Sequence, residues 1–124
     1  MDFVTGGAHN GKLNWALNHY GSKSLVVREI SEWKHTETLV IIDHAEQILK
    51  LPEADAFFHK MWEWEHSRPD HQLIIIGTDV TGGIVPVEKE HREWRDNVGL
   101  HYQQFIKEAE SVYRIWYGIP QQLK

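Results

Sequence analysis

Cysteine is absent from this 124-residue chain. Its absence excludes disulfides and thiolate metal sites, and it fits a cytoplasmic protein. No apolar run approaches the roughly 20 residues that a membrane-spanning helix needs. No basic stretch with an apolar run behind it opens the sequence, so a secretory signal is not expected. No segment is strongly basic and the formal net charge is −5, which argues against a nucleic-acid surface. Repeats, low-complexity tracts and linkers are also missing. Residues 1–124 therefore read as a single domain, large enough for a core of its own.

Two residue types are plentiful instead: nine histidines and six tryptophans. The histidines do not sit at metal-binding spacing. There is no HExxH, and no two lie four apart on one helix, so a dedicated zinc site is not expected. Trp62, Trp64, Trp94 and Trp116 read as core or interface residues, since no basic surround makes them a platform for nucleic-acid bases.

The chain is organised around its first twenty residues. A short apolar strand, Phe3-Val4-Thr5, runs into Gly6-Gly7-Ala8-His9-Asn10-Gly11-Lys12, and an amphipathic segment follows. Glycine, four residues, glycine and lysine form the pattern of a phosphate-binding loop. Its backbone N–H groups make an anion nest and its lysine reaches the β- and γ-phosphates. A serine or threonine normally follows to hold magnesium; here position 13 is Leu13. Leu13, Ala16, Leu17 and Tyr20 are spaced as one helical stripe, and Gly21 is a fitting stop.

Further strands are expected at Leu25-Val26-Val27, Leu39-Val40-Ile41-Ile42, Leu73-Ile74-Ile75-Ile76 and residues 112–117. The second and third of these are continuously apolar, the mark of parallel strands covered on both faces. Helices are expected near residues 45–51, again from Pro52, and over residues 88–110. In that last helix Trp94, Val98, Tyr102, Phe105 and Ala109 share a face. Strand and helix alternate, which predicts an α/β fold with a parallel sheet of about five strands and helices on both faces. Asp43 ends one buried strand, as in a Walker B segment, or it caps the following helix. Asp79 follows another strand. Both fall at carboxyl ends, where such sheets bind ligands, and the two acids with Lys12 would make a magnesium–nucleotide constellation. Arg92, Arg95 and Asp96 read as solvated helix pairs.

The loop and the second half of the chain together resemble the adenosylcobinamide kinase / adenosylcobinamide-phosphate guanylyltransferase family. The matching residues are Thr5-Gly6-Gly7-Ala8 with Gly11-Lys12, then Gly83-Ile84-Val85-Pro86, Arg92, Trp94-Arg95-Asp96, Gly99, Tyr102-Gln103 and Gly118-Ile119-Pro120. Residues 78–120 lie on the family pattern without a gap. The departures are Leu13 for a hydroxyl residue and Tyr102 for an asparagine. The segment carrying the family's guanylyl-accepting histidine is also shortened, and neither His35 nor His44 matches that histidine.

The resemblance implies a RecA-like P-loop fold, a homo-oligomer (a trimer), and Mg²⁺ with ATP or GTP as phosphoryl donor. It also implies adenosylcobinamide as acceptor, and a subunit interface or substrate edge at Arg92, Arg95 and Asp96. Residues 6–13 would bind the nucleotide, Lys12 and Asp43 would serve phosphoryl transfer, and Asp43 and Asp79 would hold the metal. The alternative on the same fold is a catalytically inactive nucleotide-binding or regulatory oligomer, and a third reading is a structural oligomer without a ligand.

Overall fold

The structure is a computed structural model that describes residues 1–34, 36–80 and 85–124. His35, and the Gly83-Ile84 part of the family-like loop, lie outside the described residues. In chain order the elements are β1 (Asp2–Gly6), α1 (Lys12–Tyr20), β2 (Leu25–Val27) and a 3₁₀ turn (Ile30–Glu32). They continue with β3 (Leu39–Ile42), α2 (Ala45–Ile48), α3 (Ala54–His66), β4 (Gln72–Thr78), α4 (Lys89–Glu108), β5 (Ser111–Trp116) and β6 (Ile119–Gln122). Among the described residues no helix is long and apolar enough to cross a membrane.

The strands form one sheet in the order β2-β3-β4-β1-β5-β6, parallel throughout except for β6. The alternating pleat divides the apolar runs between two cores. Val40 and Ile42 of β3 and Leu73 and Ile75 of β4 face the larger one, with α2, α3 and α4. Ile41, Ile74 and Ile76 face the smaller one, where α1 packs through Ala16, Leu13, Leu17 and Tyr20. This is why the runs are unbroken: each strand is covered on both sides. Val40, Ile41 and Ile42 are all fully buried. At about 1.5–3 kcal/mol for each such side chain, these three alone tie β3 firmly into the sheet.

Local signals set most boundaries. Gly21 closes α1 at a φ of 137°, with its N–H donating to Leu17 O at 3.0 Å. Pro52 lies in the turn between α2 and α3. In α4, Val98, Tyr102 and Phe105 are buried, and Ala109 is buried just past its end. Trp64 is buried, Trp62 and Trp94 pack at the edge of the larger core, and Trp116 stands exposed.

The sheet has six strands rather than about five. Residues 118–120 do not simply close the last parallel strand. Tyr117 and Gly118 take left-handed φ values of 47° and 78° and turn the chain back as a hairpin, so β6 pairs antiparallel with β5. Pro120 sits opposite Ile115 on this edge strand, the one kind of strand in which its missing N–H is harmless.

Gly77 shows how tightly α4 is seated. A Cβ there would stand 2.3 Å from the Tyr102 hydroxyl oxygen and 2.5 Å from Cζ. That hydroxyl donates to Thr78 O at 2.7 Å, and the ring packs 5.0 Å from Phe3. Gly77→Ala should lower unfolding free energy by about 1–3 kcal/mol, the usual range for overpacking. Urea denaturation measures this, and an unchanged midpoint would mean that Tyr102 has room to move.

Candidate functional site

The loop between β1 and α1 lies at the carboxyl end of a central strand. Gly6 has a φ of 151°, and a Cβ there would meet Ile115 O at 2.4 Å, so β5 passes too close for any side chain. His9 and Gly11 are left-handed, at φ 60° and 80°. Gly11 is the residue before α1, with no side chain capping the helix, and Gly11 O receives Trp15 N–H at 3.0 Å. The first N–H groups of a helix have no partner inside it, so this turn has the makings of an anion site.

Two backbone bonds hold the loop from either side. Asp79 N–H donates to Gly6 O at 2.9 Å, and Gly118 N–H donates to Asn10 O at 2.8 Å. The first bond comes from the end of β4 and the second from the β5–β6 turn.

Lys12 is the first residue of α1 and is 8% exposed. Its ammonium curls back to donate to Gly7 O at 2.7 Å. Burial pushes its pKa below the ordinary value, while the negative charges of Glu46 and Asp43 pull it back up. The cation over the glycine loop thus sits in the field of two buried carboxylates.

Asp43 ends β3 and is buried. It does not occupy the capping position of α2, which His44 takes in a left-handed conformation. One Asp43 carboxylate oxygen accepts from His44 N–H at 3.0 Å, and the other accepts from Arg28 Nε at 3.1 Å. Asp79, by contrast, is exposed just after β4. Its negative charge, together with that of Glu46, acts on the Tyr102 phenol, which burial first of all keeps protonated far above its ordinary pKa.

Two charged residues at this end of the sheet do not stand out in the sequence. Glu46, in the first turn of α2, is 2% exposed. It accepts from Thr78 N–H at 2.8 Å, and its other oxygen lies 3.4 Å from His44 Nδ1. Arg28, just past β2, supplies the partner of Asp43. The only available signal for Glu46 is its position three residues beyond the acid that ends a buried strand.

Lys12, Asp43 and Glu46 thus share one electrostatic environment at the carboxyl end of the sheet, with Asp79 at the rim beside Tyr102. Among the described residues no three His, Asp or Glu side chains gather into a ready-made metal site. Leu13 turns toward the smaller core instead of presenting a polar group. Arg92 is neither a solvated pair nor part of this cluster: it donates to Pro86 O at 3.1 Å and to Val87 O, fastening the start of α4.

A family model described as cobinamide kinase / cobinamide phosphate guanyltransferase matches residues 23–123. The matched segment includes Asp43, Glu46, Asp79 and the β5–β6 turn and begins downstream of the glycine loop. No curated protein matches the chain.

The buried lysine sets a pH dependence. Its folded-state pKa lies below 10.5, so between the two values the unfolded chain holds more protons and stability rises with pH. The cost of the buried charge is therefore carried below the folded-state pKa and lost as pH rises toward 10.5. Lys12→Met should match or exceed the wild type in urea midpoint at pH 7, and the wild type should gain on it as pH rises toward 10. Tyr20 and Tyr102, whose burial raises their pKa values, are common to both proteins and cancel. A variant markedly weaker at pH 7 would show that the bond to Gly7 outweighs the burial.

Proposed function

The chain belongs to the cobinamide kinase / cobinamide phosphate guanyltransferase family, and we propose that it serves as a kinase, moving the γ-phosphoryl group of ATP or GTP to the hydroxyl of adenosylcobinamide. The observation that supports this reading best is Lys12, buried and folded back 2.7 Å from Gly7 O over the left-handed loop. In the proposed reaction the acceptor hydroxyl oxygen attacks the γ-phosphorus. The bond from that phosphorus to the β–γ bridging oxygen breaks, and the hydroxyl proton is released as the ester forms.

The protein's share of such a reaction is positioning and charge stabilisation. The N–H groups of Gly6, Gly7, Ala8, His9, Asn10, Gly11, Lys12 and Leu13 would cradle the phosphates, and Lys12 would leave Gly7 O to bind phosphate oxygen. Glu46 would hold β4's end in place through Thr78 N–H and keep Lys12 charged. The donor set suits a magnesium ion: Asp43 and Asp79 offer hard oxygens, and phosphates would supply others. Since both Asp43 oxygens already accept hydrogen bonds and Leu13 has no hydroxyl, the contact from Asp43 would run through water. The ion, when bound, neutralises charge on the phosphates. Guanylyl transfer stays outside the proposal, because residues 29–38 stand where the resemblance implies a longer histidine-bearing segment. His44, for its part, faces Asp43 and Glu46. The same premise carries a homo-oligomer, a trimer by resemblance, and a cytoplasmic setting.

A second reading, an inactive nucleotide-binding or regulatory oligomer, draws on one observation: Leu13 is spent on packing. Calorimetric titration with ATP and GTP, with and without magnesium, separates the two when followed by turnover with adenosylcobinamide. Lys12→Ala should weaken nucleotide binding about 10- to 100-fold, the equivalent of one charged hydrogen bond. Asp43→Asn should abolish most of the magnesium dependence. Binding without turnover would favour the regulatory oligomer, and no binding at millimolar nucleotide would remove both readings.

A further inference from the structure

We propose that the β5–β6 turn and the exposed face of α1 form the nucleobase subsite, in which Tyr117 stacks on the base and accepts adenine and guanine alike. This rests on the nucleotide reading above and specifies the other end of the same ligand.

Topology gives the direction. β1 has two neighbours, β4 and β5. The carboxylates Asp43, Glu46 and Asp79 all lie on the β4 side, on β4's end or beyond it. A triphosphate over the loop directs its terminal phosphate and metal toward those acids, so its nucleoside leaves on the β5 side.

On that side lies a cavity of about 440 Å³ lined by Asn10, Asn14, Trp15, Asn18, Tyr117 and Gly118. It begins at the loop, because Gly118 N–H is bonded to Asn10 O at 2.8 Å. Its size suits a base with its ribose.

Tyr117 is the unusual feature. A hairpin turn with both central residues left-handed is normally built from Asn-Gly or Asp-Gly. Here the first position is an aromatic at φ 47°, a conformation that disfavours a bulky side chain. Packing does not explain it, since Tyr117 is 72% exposed. Its ring meets Trp116 at 5.2 Å in an edge-on contact, which leaves the cavity side for a ligand. Strained residues gather at ligand sites, and this one borders the loop.

The chemistry of the lining sets the selectivity. Asn14 and Asn18 stand one helical turn apart on α1 and are exposed. An amide offers both donors and an acceptor, so these side chains can meet the edge of either purine. Stacking tolerates any base, since each has a π-face. The binding energy of this subsite is thus assigned to the ring of Tyr117, and ATP and GTP should bind within a few-fold of each other.

The test compares ATP, GTP and inorganic tripolyphosphate, which has no base, by calorimetry on the full chain. Tyr117→Ala should weaken both nucleotides by about 5- to 100-fold, the range for losing one base–aromatic stack, and leave tripolyphosphate unchanged. Tyr117→Phe should restore nucleotide affinity. Lys12→Ala should weaken all three ligands. If the wild type binds nucleotides and Tyr117→Ala changes nothing, or weakens tripolyphosphate equally, the subsite is wrong while the phosphate site stands. If the wild type binds none of the three, the phosphate site and the subsite fall together.

Discussion

A buried ammonium group requires negative charge close by, and much of this end of the sheet is arranged around that requirement at Lys12. Glu46 and Asp43 both act on it, and each is itself secured. Glu46 is bonded to Thr78 N–H, so the α2 backbone is fixed against the end of β4. Trp94 Nε1 then donates to Glu46 O at 2.7 Å, bringing α4 onto α2. Asp43 is bonded to Arg28, which links β3 to the segment leaving β2. Losing one of these partners would leave a buried charge uncompensated, which is far costlier than losing a surface pair.

The sheet makes the site asymmetric. Inserting β4 between β1 and β3 sets the buried aspartate one strand away from the loop, with Thr78 and Asp79 nearest to it. Among the described residues, the cavity on the opposite flank is lined by no acids. It offers instead a hairpin turn, an aromatic ring and two amides. One loop thus faces charged chemistry on one side and flat, neutral surface on the other, an arrangement suited to an elongated ligand that is itself anionic at one end and aromatic at the other.

Much of this was legible from the chain alone, for a physical reason. The unbroken apolar runs 39–42 and 73–76 announce strands covered on both faces, and Gly6, Gly11 and Lys12 announce the loop because backbone geometry restricts which residues can stand there. The positions of Asp43 and Asp79 at strand ends were legible because each follows such a run. Glu46 was not: in Ala45-Glu46-Gln47-Ile48 a glutamate looks like a solvated helix residue, and only the tertiary approach of β4 buries it. Arg28 likewise gains meaning only when β2 and β3 pair. β6 was hidden because all four of its residues are exposed and so show no alternation, and because Tyr-Gly is not a customary hairpin pair. Leu13 was legible as a missing hydroxyl, but not as a contact of the smaller core.

The register of β1 bears on how the molecule comes together in time. β1 lies between two strands that are made much later than it: it pairs with β4 through Asp2 and Ile74, and with β5 through Asp2 and Ser111. The hydrogen bond from Ser111 N–H to the Asp2 carboxylate spans 109 positions of the chain. Contacts of such separation require the ends of long loops to be brought together before they contribute anything, and they are associated with slow folding. During synthesis, then, the glycine loop emerges long before either of its clamps. It can take its shape only once the β5–β6 turn has left the ribosome, so the glycine-loop end of this sheet is assembled late, although the loop precedes both of its clamps in the chain.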